Sequence, residues 1–178
     1  FGRMEKNKRA GEKQEGGWIM YEMPFQEMVP KDYKEKNMET SENGIELIKK
    51  FEGKRQVAYQ DEAGVWTIGY GHTKDVYKGQ LIIESRADKM LAEDLKVYEG
   101  IVNEQVKVPL NQNQFDALVS WTFNLGEKNL KKSTMLKKLN EGDFDSVPTE
   151  MKRWNIVAGK VSKGLINRRE AEVSLFLA

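Results

Sequence analysis

Apolar residues recur at three- and four-residue intervals over most of this chain and at two-residue intervals over one short stretch, a pattern that predicts helices with a small β region near the front. The first regular segment follows Ser41-Glu42-Asn43, which caps a helix carrying Ile45, Leu47, Ile48 and Phe51, with Gly53 as its stop. The period then changes to two. Residues 57–59 and 65–70 flank Gln60-Asp61-Glu62-Ala63-Gly64, whose Asp and Gly are turn residues, so a hairpin with a longer loop is predicted. Ser85 with Asp88 approximates a capping box for a long helix whose apolar face is Met90, Leu91, Leu95, Tyr98, Ile101 and Val102. Asn111 with Gln114 opens the next helix. Its Phe115, Leu118, Val119, Trp121, Thr122 and Phe123 leave little polar face before Gly126, which predicts a central, buried helix. Shorter helices are expected near residues 133–140, 144–154 and 166–177, with a Gly-containing connection over 156–164. The fold class is therefore α+β, a small sheet followed by a helical lobe.

Residues 1–37 break this regularity. They hold eight of the chain's 29 Lys and Arg and seven of its 28 Asp and Glu, and show no sustained period. A small apolar cluster, Trp18, Ile19, Met20, Tyr21, Met23, Phe25, Met28 and Val29, is interrupted by Glu22, Pro24 and Glu27. We expect an N-terminal extension over 1–37 and a single domain over 38–178, with Met38 as a candidate start; the extension is expected to be dispensable for chemistry, its apolar cluster able to make weak contact with an envelope surface.

Composition narrows the chemistry. The chain of 178 residues has a net charge of +1 and no long single-sign block, so nucleic acid is not an expected partner. No stretch approaches the roughly 18 apolar residues that span a bilayer, and Phe1-Gly2-Arg3 begins no signal-peptide pattern, so the expected residence is cytoplasmic. Zero Cys removes disulfides, cysteine nucleophiles and thiolate metal sites, and the single His72 removes any site built on two imidazoles. Neither a metal nor another cofactor is expected. Enzymology here must run on carboxylates and hydroxyls.

Glu52 is the first residue to break a local rule. It sits in the last turn of the first predicted helix, where the partial negative end of the macrodipole disfavours another anion by roughly 0.3–1 kcal/mol. Asp61 follows at the tip of the hairpin and Thr67 in its second strand. Each alone is ordinary: a solvated helix end, a turn Asp, a β-forming Thr. Jointly, a helix-end Glu, a loop Asp and a strand hydroxyl can converge between sheet and helix. Two carboxylates in unlike environments, one protonated and one ionised, are the minimum for glycoside hydrolysis.

The motifs then become recognisable. Phe51-Glu52-Gly53, Ala58-Tyr59-Gln60-Asp61 and Trp66-Thr67-Ile68-Gly69-Tyr70-Gly71-His72-Thr73, followed by Asn113-Gln114-Phe115-Asp116-Ala117-Leu118, Phe123-Asn124-Leu125-Gly126 and Asn167-Arg168-Arg169-Glu170-Ala171-Glu172, closely resemble the phage-type lysozyme (endolysin) family. The resemblance covers about residues 41–178. It implies a lysozyme-like α+β fold with an active-site cleft between a small antiparallel sheet lobe and a mainly helical lobe. It also implies a muramidase that cuts the β-1,4 bond between N-acetylmuramic acid and N-acetylglucosamine in bacterial peptidoglycan, causing host lysis.

By the same resemblance Glu52 is the general acid. Asp61 orients or deprotonates water or steadies an oxocarbenium-like centre, and Thr67 is a second holder of that water. Arg168 matches an arginine that contacts the acid, and Asn124 a substrate-contacting amide. His72 is expected to be structural, through a hydrogen bond or ion pair, and Gly69 and Gly71 to serve backbone geometry. The family's secreted branch carries a signal-arrest segment and often cysteines, which this sequence lacks, so release through a separate holin-like membrane protein is implied. The expected site of action is the wall in the periplasm after residence in the host cytoplasm, and the expected state is a monomer. Two rivals are a lytic transglycosylase, which Asp61 and Thr67 argue against because internal attack needs no held water, and a catalytically silent wall-binding module.

Overall fold

The computed structural model describes residues 37–61 and 63–178, so the apolar cluster expected over 18–29 lies outside the described residues. The order is helix α1 (Glu42–Glu52), strands β1 (Arg55–Gln60) and β2 (Trp66–Gly69), helices α2 (Glu84–Gln105), α3 (Gln112–Leu125), α4 (Glu127–Lys132), α5 (Thr134–Asn140) and α6 (Val147–Lys152), a minimal hairpin β3 (Ile156–Val157) and β4 (Lys160–Val161), and helix α7 (Lys163–Phe176). The main sheet region is early and small, and apart from the β3–β4 hairpin the elements after it are helices.

Helix α1 begins at Ser41, but not by the cap the sequence predicts. The Ser41 side chain makes no cap bond to its own helix. Instead its hydroxyl and its backbone N–H both donate to the carboxylate of buried Asp116 on α3, the N–H at 3.0 Å. Gln112 Nε2 donates to the same carboxylate at 2.9 Å. The chain just before is tied down likewise: Met38 exchanges two bonds with the Asn103 side chain of α2, at 3.0 and 2.9 Å, and Thr40 N–H donates to Glu99. Gly44 is needed where α1 crosses α3, because a Cβ there would lie 2.6 Å from Thr40 Cγ2 and 2.8 Å from Asp116 Cβ.

The hairpin pairs Tyr59 with Thr67 and Gln60 with Trp66, with an irregularity between Arg55 and Tyr59. Residues 80–82 lie along the other edge of β1, where Ala58 N–H donates to Gln80 and Ile82 N–H to Gln56. After β2 the chain doubles back at once: Ile68 and His72 exchange both backbone bonds at 2.9 Å. That reversal needs positive φ at Gly69 (66°) and Gly71 (93°), which glycine adopts without steric cost.

Helix α3 is the centre of the core. Phe115, Leu118, Val119 and Trp121 are all buried, and α3 packs on α1, α2 and α7. The predicted capping box holds, with Asn111 Oδ1 accepting from Gln114 N–H and Gln114 Oε1 from Asn111 N–H. The predicted box at Ser85 does not: the cap falls two residues earlier, at Ile83, with no side-chain cap bond. The helix α4 and the β3–β4 hairpin were not anticipated, since six residues with one buried apolar (Leu130) and two-residue strands leave no period to read.

Candidate active site

Glu52 ends α1, and Gly53, at φ +69°, turns the chain away immediately after it. Its Oε1 accepts a bond of 2.6 Å from Arg168 Nη1 on α7, a contact spanning 116 residues of sequence. The arginine is buried, with its side chain 4% exposed against 21% for Glu52. Its guanidinium serves three acceptors, since Nε also donates to Glu172 Oε1 at 3.1 Å and Nη2 to the Ser120 carbonyl at 3.2 Å. The Phe51 ring lies beneath it, 5.7 Å from Cζ. A planar fork held at several points cannot swing, so the carboxyl it grips is oriented too. The other carboxyl oxygen, Oε2, looks toward Gly71, where an added Cβ would stand 3.8 Å from it.

Asp61 lies just beyond β1 and uses Oδ1 to accept from the N–H groups of Ala63 (2.9 Å) and Val65 (2.8 Å), which shapes the hairpin loop. Thr67 is buried on β2, and its hydroxyl donates to the Val65 carbonyl at 3.1 Å. The two predicted residues thus meet through a shared neighbour, Val65, whose N–H serves one and whose C=O serves the other. Backbone continuity from Thr67 through the Ile68–His72 bridge brings Gly71 against Glu52.

His72 is occupied on both sides: Nδ1 lies 2.8 Å from Asp94 Oδ2 and Nε2 2.9 Å from the Lys74 carbonyl. It forms one wall of a pocket with Gly71, Thr73, Lys74, Asp94, Val97, Tyr98 and Phe123. The Tyr98 ring tilts against Phe123 at 4.9 Å between centroids. Burial pushes the Tyr98 hydroxyl up, and the negative charges of Asp94 and Glu52 act the same way.

Asn124 does not contact Glu52. Its Oδ1 accepts from Arg169 Nη2 at 2.5 Å, and Arg169 Nη1 lies 3.2 Å from Glu172 Oε2, with both side chains fully buried. Glu172 also accepts from Ser120 Oγ at 2.8 Å. Glu52, Arg168, Glu172, Arg169 and Asn124 therefore form one chain of hydrogen bonds and ion pairs, with Ser120 attached at Glu172; Arg169, Glu172 and Ser120 were not singled out from the sequence. A signal was present. Gln112, Asp116, Ser120 and Asn124 recur every four residues, a polar stripe along one face of the helix.

An acid at a helix end, gripped by a buried arginine beside a small hairpin that carries an Asp and a Thr, within an α+β fold built on one buried helix, defines a lysozyme-like glycosidase. Comparison with known proteins agrees. The phage lysozyme family model matches residues 49–172, and the chain belongs to that family. It is 46% identical over 143 residues to the endolysin of Acyrthosiphon pisum secondary endosymbiont phage 1, covering 78% of this chain and 98% of that protein. It is also 46% identical over 143 residues to the endolysin of Bacillus phage B103, covering 79% of this chain but only 54% of that longer protein. Among solved structures, the muramidase domain of SpmX from Asticaccaulis excentricus is similar with a TM-score of 0.75 and 43% identity, over 79% of this chain and 98% of that one.

Proposed function

We propose that this chain is an endolysin-type muramidase that hydrolyses the β-1,4 bond between N-acetylmuramic acid and N-acetylglucosamine in peptidoglycan and so lyses a bacterial host. The Glu52–Arg168 pair carries the reading: one carboxyl oxygen is held by a buried guanidinium and the other is turned toward open backbone at Gly71. Glu52 gives its proton to the leaving glycosidic oxygen as the bond to the anomeric carbon breaks. Thr67 already spends its hydroxyl proton on Val65, so toward a water it is an acceptor. A water donating to Thr67 and Asp61 then presents its own lone pair to the anomeric carbon, and its proton leaves on Asp61. Attack from the face opposite the leaving group inverts the anomeric configuration. Arg168 positions the acid, Asn124 contacts the substrate, and His72 with Asp94 holds the turn that carries Gly71.

The domain begins at Met38 in this reading, which the paired bonds to Asn103 support. Residues 1–37 contribute at most a weak envelope contact. We further infer residence in the host cytoplasm as a monomer, release by a separate holin-like membrane protein, and action on the wall in the periplasm; likeness to endolysins supports the last of these. No described helix is long and apolar enough to cross a membrane.

The test is digestion of purified peptidoglycan by the wild-type chain and by Glu52→Gln. The variant should stay folded and lose about 10²–10⁴ in rate, the range that general acid catalysis supplies. Mass spectrometry should show reducing-end muramyl products, one water heavier than the 1,6-anhydro products of a transglycosylase. Near-wild-type turnover by folded Glu52→Gln removes Glu52 from the mechanism.

A further inference from the structure

The mechanism above uses Glu52 and Arg168 but leaves a buried pair behind them unexplained. Arg169 and Glu172 are both fully buried, and neither touches solvent. Buried charges are costly unless paired, and pairs alone are often no better than apolar residues of the same volume, so their presence calls for a role beyond stability. Each member reaches a different part of the site. Glu172 accepts a hydrogen bond from Arg168 Nε on Oε1, while its Oε2 stands 3.2 Å from Arg169 Nη1 as an ion pair without hydrogen-bond geometry. Arg169 continues to the Asn124 amide. The arginine donates only, so the atom of Asn124 it binds must be the carbonyl oxygen, and the orientation of that amide is forced. What Asn124 retains for a ligand is Nδ2, a donor.

We propose that Glu172 and Arg169 are positioning residues: Glu172 fixes Arg168 against Glu52, and Arg169 fixes the half-buried Asn124 so that its Nδ2 donor reads a carbonyl oxygen of substrate, an acetamido or peptide group. This inference rests on the muramidase reading. Burial lowers Arg169 to about 10, so it stays charged throughout the working range, and burial pushes Glu172 up against the pull of both arginines.

The two arms separate by kinetics on soluble peptidoglycan fragments and by equilibrium binding of the same fragments. Asn124→Asp keeps an acceptor for Arg169 but replaces the donor with an acceptor. It should raise both KM and the dissociation constant roughly tenfold, about the factor of one hydrogen bond, with kcat within a few-fold. Asn124→Gln, which restores the donor, should recover part of that loss. Glu172→Gln keeps the shape and the Ser120 contact but loosens Arg168 from the general acid, so kcat should fall roughly tenfold and the alkaline limb of the pH profile, where that acid loses its proton, should move, with KM little changed. If Glu172→Gln fails to fold, Ser120→Ala removes only the hydroxyl's bond to Glu172 and should shift the same limb by less.

Unchanged KM and binding in Asn124→Asp overturn the donor assignment. A Glu172→Gln or Ser120→Ala protein that loses thermal stability while keeping kcat and the pH profile overturns the positioning role and leaves a structural one. Failure of the parent reading looks different: the wild-type chain would release no glycan products, while the binding arm would still report on Asn124.

Discussion

Replacing Gly44 by Ala sets two effects of opposite sign against each other. Helix propensity alone favours the substitution by up to about 1 kcal/mol, because alanine loses less backbone entropy in a helix. The packing opposes it. The new methyl would lie 2.6 Å from Thr40 Cγ2 and 2.8 Å from Asp116 Cβ and Cγ, so α1 or its neighbours must give by most of an ångström. Asp116 cannot yield cheaply, since it is buried and accepts from Ser41 and Gln112. Overpacking costs roughly 1–3 kcal/mol, and a weakened buried bond to a carboxylate adds about 1–3. The net expectation is a loss of about 1–5 kcal/mol, which for a domain of this size lowers Tm by roughly 3–15 °C. Calorimetric melting measures it. Activity should fall as well, because Glu52 lies eight residues along the same helix, about 12 Å at 1.5 Å per residue, and a displaced α1 meets Arg168 at the wrong distance. Adding Thr40→Ser removes the nearest clash and should restore part of both. A Gly44→Ala protein as stable as wild type, or more so, would refute the argument and show that the α1–α3 crossing is soft.

Other substitutions probe the site and its support. Gly71→Ala forces a methyl onto a residue at φ +93° and sets it 3.8 Å from Glu52 Oε2; stability should fall by about 1–2 kcal/mol, while hydrolysis falls by far more than unfolding explains, measured as rate per folded molecule. Asp143 accepts from Ser146 and Lys138, and these bonds hold its carboxyl below its ordinary value near 3.8. A depressed value means the stabilisation is present above that pH and lost as pH falls through the folded-state value, so the Tm gap between wild type and Asp143→Ala should stay constant near neutrality and close in acid. A chain starting at Met38 should digest purified peptidoglycan at the full-length rate, and a large loss there would place part of 1–37 inside the catalytic fold.

The order of elements was legible because long amphipathic segments carry their own period, and α3 was recognisable as central because apolar residues surround it. What the sequence hid is mostly polar. Ser41 sits where a cap residue belongs, yet its hydroxyl serves Asp116, a partner 75 positions away that no local rule can find. The Arg168–Arg169–Glu172 run reads locally as a solvated helix face, and only the fold reveals that all three are buried. Asp61 and Thr67 could be paired by spacing and resemblance, whereas their meeting through Val65 depends on the register of β1 and β2.

The long reach of the Glu52–Arg168 contact also bears on when the protein becomes active during synthesis. A ribosome has emitted Glu52, Asp61 and Thr67 long before α7, and contacts of high sequence separation form only once both partners exist. Until residues 163–176 emerge and dock on α3, the acid lacks the guanidinium that orients it, and the polar groups of Ser120 and Asn124 face no partner. The nascent chain thus carries its reactive groups unassembled, and α7, translated well after them, is the helix that arms them.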